Sequence, residues 1–390
     1  MNPAALRELV PAVIGVLVRR GADFASAEDA VQEAVIRALE TWPDGSPSHS
    51  SGGAEPVRDP KGWLIAASWR RFVDARRAEE SRRGREVAVA AEPPPGPTPV
   101  TDDTLRLYFL CAHPSLSPAS AVALTLRAVG GLTTRQIAAA YLVPEATMAQ
   151  RISRAKRRIA GESFDRSGDP ATVLRVLYLV FNEGYGGDVD LAAEAVRLTR
   201  QFAALTDDPE VAGLLALMLL HHARRAARTD AEGRLVPLAE QDRGRWDTGL
   251  IAEGVEILQA ALARDRLGEY QAQAAIAALH ADAPTAAETD WPQIVEWYDE
   301  LLRLTGSPVV RLNRAVAVGE ADGARAGLAA LEQVDPSLPR YAAALAYLHE
   351  RAGEHVRAAD LYAEAARAAT SVPEREHLTR QAARLRHPRP

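Results

Sequence analysis

The sequence predicts an all-α protein, and three observations carry that prediction. Aromatic residues are only 5% of the 390, while Ala and Leu dominate the apolar set, a composition that favours helices over sheets. Apolar positions recur at three- and four-residue spacing in segments broken by Gly and Pro turn signals, the pattern of successive amphipathic helices. No run alternates apolar and polar residues convincingly; 235–238 is at most a short extended piece. The length allows two or three domains. We expect two small helical domains joined by a Pro-rich linker, the second with a helix-turn-helix, and then a helical-repeat domain.

Charge divides along the same lines. The net −6 hides −4 over residues 1–60, +8 over 61–160 and −10 over 161–390. A basic middle beside an acidic C-terminal half implies different partners for different parts. Cys111 is the one cysteine, so no intrachain disulfide can form and nothing points to secretion. The apolar run 10–18 is about half a bilayer span, which reads as a core helix and not a signal peptide. A cytoplasmic protein without membrane contact is expected.

In the first unit, SAEDAVQEAVIRALETW (26–42) opens with Ser26 and Asp29 as a helix start. Val31, Val35, Leu39 and Trp42, with Ala34 and Ala38, make a stripe expected to be buried. Asp29, Gln32 and Glu33 share another face, which is either a solvated surface matched to the helix dipole or a docking surface. Residues 43–60 hold Pro, Gly and Ser in place of periodic apolar positions and read as a linker. Next comes KGWLIAASWRRFVDARRAEESRRGRE (61–86), where Trp63, Trp69 and Phe72 interleave with Arg70, Arg71, Arg76 and Arg77. Such a helix can follow a nucleic-acid backbone and stack on unpaired bases, although Trp63 and Phe72 also suit a core. Five prolines within 92–99 then enforce an extended spacer.

The second unit is the most specific. A helix over 119–129 ends at Gly130-Gly131, and Thr133 with Gln136 forms a capping box for a short helix to about Tyr141. Leu142-Val143 makes a tight turn, and Pro144 begins PEATMAQRISRAKRRIA. Helix, short turn, helix is the helix-turn-helix pattern. Met148, Ile152, Ala155 and Ile159 form the packing face of the last helix. Thr147, Gln150, Arg154 and Arg157 form the opposite face, with Arg151 and Ser153 flanking. Gln and Arg there can make bidentate contacts to base edges, and flanking Arg can hold phosphates.

Together these segments resemble an extracytoplasmic-function sigma factor of the sigma-70 family. AEDAVQEAVIRALETW (27–42) is similar to the polymerase-binding helix of sigma region 2. GWLIAASWRRFVDARRAE (62–79) is similar to the helix that recognises and opens the −10 element. LTTRQIAAAYLVPEATMAQRISRAKRRI (132–159) is similar to region 4, which reads the −35 element. The resemblance implies domains at 1–91 (region 2), 92–100 (linker), 101–164 (region 4) and 165–390 (a regulatory extension). It implies RNA polymerase core, through its β-prime clamp and β flap, and promoter DNA as partners. Asp29, Gln32 and Glu33 become the clamp contacts. Trp63, Arg70, Arg71, Asp74, Arg76 and Arg77 become the −10 set. Thr147, Gln150, Arg151, Ser153, Arg154 and Arg157 become the −35 set. Arg70 stands where members often carry Asn, and Ala149 and Ser153 stand where they often carry larger residues.

The C-terminal half resembles tetratricopeptide-like repeats at 339–370, where Leu345, Ala346, Ala358, Tyr362 and Ala365 fall at packing positions. A degenerate neighbour covers 308–336, and the helices of 169–305 are expected to extend the array. FNEGY (181–185) and QDRGRWD (241–247) are unusual; Asp242 suits a cap, Trp246 a core, and Arg243 and Arg245 pairing with acids, or the motif is a docking site. No phosphate loop, dinucleotide fingerprint or nucleophile–base motif is present, so no catalysis, metal or cofactor is expected. In the sigma subgroup with such an extension, that half is thought to regulate the factor, with an unidentified protein or small molecule as a possible effector. The alternative is a helix-turn-helix regulator with a helical ligand- or protein-sensing domain, and a third class is a repeat-based scaffold.

Overall fold

The computed structural model describes residues 3–41, 59–82, 103–160, 162, 168–186 and 189–386. Trp42 and the linker segments at 43–58 and 92–99 lie outside the described residues. The chain forms two compact units, Met1–Leu205 and Thr206–Pro390.

The first unit begins with α1 (Pro3–Arg19), α2 (Phe24–Thr41) and α3 (Pro60–Arg82), which pack on one another. Leu6, Val10, Val13, Ile14 and Leu17 of α1 are buried, as are Leu64, Ile65 and Phe72 of α3. Helix α2 starts before the expected Ser26, because the Asp23 carboxylate accepts the Ser26 N–H at 3.0 Å and supplies the cap. Its buried seam runs through Ala27, Val31, Ala34, Val35 and Ala38. Leu39, expected in that stripe, is 36% exposed. It falls a further ~100° round the helix from Ala38, which turns it off the seam.

Four helices follow: α4 (Thr104–Cys111), α5 (Pro118–Ala128), α6 (Thr134–Ala140) and α7 (Glu145–Arg158). Ser117 caps α5, with Pro118 at its first position, and Gly131 turns the chain afterwards at φ +66°. The capping box at α6 forms: Thr133 Oγ1 accepts the Gln136 N–H, and Gln136 Oε1 accepts the Thr133 N–H at 2.9 Å. Between α6 and α7, Leu142 takes a left-handed φ of +51° and is 85% exposed.

Two more helices complete this unit, α8 (Pro170–Glu183) and α9 (Leu191–Leu205). Helix α8 packs on α4 and α5. Tyr108 of α4 and Phe202 of α9 are both fully buried with ring centroids 4.9 Å apart. The Tyr108 hydroxyl donates to the Leu198 carbonyl at 2.8 Å, and burial holds that phenol well above its usual pKa. Between α8 and α9, Tyr185–Gly186 (β1) pairs antiparallel with Val189–Asp190 (β2), a two-residue ladder that is the one sheet among the described residues. The FNEGY segment is thus the end of α8 and its exit: Gly184 takes φ +63°.

The second unit holds α10 (Pro209–Ala223), α11 (Thr248–Leu262), α12 (Glu269–Asp282), α13 (Trp291–Thr305), α14 (Pro308–Ala321), α15 (Ala324–Leu331), α16 (Tyr341–Arg351), α17 (His355–Ala368) and α18 (Val372–Arg386). Helix α12 packs chiefly on α10, and helices from α13 onward pack mainly on their sequence neighbours, the organisation of a quasi-one-dimensional repeat array. The pair α16 and α17 forms where it was expected. Ala346, Ala358, Tyr362 and Ala365 are buried in one cluster, and Leu345 is partly buried against the neighbouring one. Small residues let the two helices approach, and Tyr362 fills the gap while donating to Glu350 at 2.9 Å. Leu235 makes an isolated bridge with Thr229, and Leu238–Glu240 is a 3-10 turn.

Candidate nucleic-acid interface

Helix α7 separates its two faces as the spacing predicts. Met148, Ile152, Ala155 and Ile159 are buried. Thr147, Gln150, Ser153, Arg154 and Arg157 are exposed, and Arg151 is half-buried. The short α6, the left-handed turn and Pro144 at the N-cap hold α7 against α5 and α6, so its polar face projects from a rigid support. An exposed row of Gln and Arg on such a helix fits base-edge and phosphate contacts in a major groove.

Helix α3 presents a second basic surface. Arg70, Arg71, Asp74, Arg76 and Arg77 are exposed, and Trp63 is half-buried. Phe72 is core, with Trp69 at 5.2 Å between centroids, and the Arg20 guanidinium lies 5.8 Å from the Trp69 ring. Asp59 caps α3 by accepting the Gly62 N–H at 2.9 Å. A groove of about 570 Å³ between α2 and α3 is lined by Asp29, Glu33, Arg71, Phe72 and Arg76, among others. Glu33 forms an ion pair with Arg71 across it. The groove therefore joins residues of the expected clamp set to residues of the expected −10 set.

The three residues expected as a polymerase-binding face have different fates. Glu33 is exposed and paired with Arg71. Asp29 is exposed and holds Lys156 of α7 at 2.6 Å. Gln32 is 1% exposed, and its amide donates to the Arg127 carbonyl of α5 at 2.9 Å. Beside them Glu28 is fully buried, held by Arg127 Nε at 2.8 Å and by Lys156. A second buried acid, Asp103, is paired with Arg19 of α1 at 3.1 Å and Arg106 at 3.1 Å.

Sequence reasoning missed Glu28, Asp103, Arg127 and Lys156. One signal was available for Lys156. The chain has 44 Arg and two Lys, so a lysine on the basic helix α7 stands out from its neighbours.

In the second unit, the QDRGRWD motif is built into the scaffold. Asp242 caps a 3-10 turn through the Gly244 N–H at 2.9 Å, and Asp247 caps α11 through the Leu250 N–H at 3.0 Å. Trp246 is buried between two guanidinium groups, Arg243 at 4.5 Å and Arg224 at 6.0 Å from its ring. Arg243 does not pair with an acid as expected. It donates to the His280 and Ala283 carbonyls at 2.6 and 2.8 Å, at the C-terminus of α12, where the helix dipole favours a cation.

Burial, with Arg224 and Arg228 nearby, pushes His221 down to about 3, and burial with Arg224 and Arg243 pushes His280 down to about 4. Both rings are neutral in the native state at neutral pH. Stability from them is full above pH ~6.5 and lost as pH falls toward the native values, since the unfolded chain takes up those protons first. The second unit should lose about 2 kcal/mol from each histidine by pH 5. Thermal melts across pH 7 to 4.5 check this: His221→Gln should flatten the acid limb, and an unchanged slope would contradict it.

The comparisons agree with this geometry. Residues 5–82 match the family model for sigma-70 region 2, and residues 106–159 match that for sigma-70 region 4. Residues 170–262 match a family of unknown function, DUF6596. An uncharacterized protein of Rhizobium meliloti (strain 1021) is 41% identical over 367 residues, covering 86% of this chain and 84% of that protein. No solved structure matches. Fold and site together define a helical promoter-recognition protein with a helix-turn-helix. The chain belongs to the sigma-70 family, as a member of extracytoplasmic-function type with a C-terminal helical extension. Among the described residues no helix is long and apolar enough to cross a membrane.

Proposed function

We propose that this protein is a dissociable specificity subunit of RNA polymerase, not a catalyst, and that its extension regulates it. Core polymerase binds through Asp29, Gln32 and Glu33 on α2. Helix α3, with Trp63, Arg70, Arg71, Asp74, Arg76 and Arg77, captures and opens the −10 element. Extruding a base costs a few kcal/mol, which stacking and phosphate contacts offset. Helix α7 reads the −35 element with Thr147, Gln150, Arg151, Ser153, Arg154 and Arg157. The observation that carries the reading is the pair of sigma region 2 and region 4 matches in chain order, with the α7 set exposed apart from the half-buried Arg151. Binding of purified core enzyme tests it: Asp29→Ala with Glu33→Ala should weaken the complex, and failure of the intact chain to bind core would end the reading.

Control by the extension has its own test. Cutting at residue 168 would remove α8 and α9 and expose Tyr108, so the chain 1–168 should melt well below 1–205. Promoter-directed transcription by 1–205 against the intact chain then isolates residues 206–390. A change in activity is expected, and equal activity would rule out control by that part.

A further inference from the structure

We propose that region 4 closes over the polymerase-binding face of region 2 in the free chain, so that core polymerase must displace it to bind. This rests on the sigma reading above. Two of the three residues that reading gives to the polymerase, Asp29 and Gln32, are occupied by region 4, while Glu33 stays exposed and pairs with Arg71. Gln32 is buried against the Arg127 carbonyl, and Asp29 is held by Lys156. Glu28, one position before Asp29, is buried under Arg127 and Lys156 together. A polymerase surface cannot reach Gln32 while α5 covers it.

The chemistry of the contact suits opening. Its joints are ionic and polar: Glu28 with Arg127 and Lys156, Asp29 with Lys156, Gln32 with the Arg127 carbonyl, and Arg19 with Asp103. Buried ions regain their hydration when such faces part, so much of the lost pairing is offset by water, whereas a parted apolar interface gains no such return. The fit is also incomplete. A cleft of about 300 Å³ remains between α2 and α7, lined by Ala25, Asp29, Arg127, Ser153, Lys156 and Arg157. Two of these, Ser153 and Arg157, belong to the expected −35 set and remain exposed at its edge. Helices α8 and α9 are joined to region 4 through Tyr108 and Phe202. On this proposal α8 and α9 travel with region 4 when it opens.

Energy transfer between fluorophores on α2 and α7 of the full chain tests the closure. Cys111 is buried, and burial pushes its thiol pKa up, so labels go to Glu40→Cys and Arg158→Cys, both exposed in the structure. High transfer is expected in the free chain, falling in step with added core polymerase. Lys156→Glu places an acid against Glu28 and Asp29. It should lower transfer in the free chain and tighten core binding about tenfold, within the usual range of such coupling. Transfer that stays high with core bound overturns the proposal, as does a helical Lys156→Glu protein with unchanged transfer. If Lys156→Glu fails to fold, Lys156→Gln and the core displacement of the parent chain decide the matter. If core binds no form of the chain, the sigma reading fails, and the Lys156→Glu transfer change still decides closure.

Discussion

Replacing Gln150 and Arg154 together with Ala is expected to lower −35-dependent transcription at least about thirtyfold, with thermal stability unchanged. Each bidentate base contact is worth roughly 1–3 kcal/mol, so the two together reach at least about 2 kcal/mol, and 1.4 kcal/mol is about tenfold. Both side chains are exposed on α7, opposite the buried row of Met148, Ile152, Ala155 and Ile159. Their removal therefore costs no packing. Arg157→Ala should act differently, weakening binding across promoter sequences and reducing its salt dependence, as loss of a phosphate contact does. Abortive initiation on promoters with intact and scrambled −35 elements separates the two. A Gln150→Ala/Arg154→Ala protein that uses both promoters as the parent does would remove α7 as the reader.

Phe202→Ala is expected to destabilise the first unit by about 3–5 kcal/mol, the usual loss on truncating a buried Phe. Phe202 is fully buried, 4.9 Å from the Tyr108 ring and 6.3 Å from the Phe109 ring. Although it lies beyond the sigma regions in sequence, it packs on α4 at the start of region 4. Hydrogen exchange should rise in α4 and α5 as well as in α9, and remain at parent levels in α16 to α18. Exchange that rises in α9 alone would show that α8 and α9 are not part of the region 4 fold. Tyr108→Phe isolates the hydroxyl's bond to the Leu198 carbonyl and should cost only about 1 kcal/mol.

The helices and the buried and exposed faces of α7 were legible because they follow from local rules. The Thr133–Gln136 box, Pro144 and the four-three-four spacing of Met148, Ile152, Ala155 and Ile159 are each decided within one helix. The hairpin of α16 and α17 was legible because small and large residues alternate at its contact. The start of α2 was not, because Asp23 competes with Ser26 as the cap and wins by accepting the Ser26 N–H. Arg243 was misassigned for a related reason: its acceptors are carbonyls about forty residues away at the end of α12.

The meeting of α2 with α5 and α7 was illegible. Glu28 and Lys156 are 128 positions apart, and on its own helix each reads as an ordinary charged residue. Only the fold shows that an acid near the start of one helix and a rare lysine near the end of another neutralise each other away from water. The same holds for Gln32, whose spacing placed it correctly beside Asp29 and Glu33 without revealing that it would be covered.

Run-off transcription tests the central claim most directly. Purified core polymerase, the full chain and a genomic promoter library should yield discrete transcripts whose start sites share two upstream elements. Core alone should yield none of these, and the Gln150→Ala/Arg154→Ala protein should lose most of them. A chain that directs no transcript and instead binds palindromic duplex DNA by itself, without core, would contradict the claim and identify a conventional helix-turn-helix regulator.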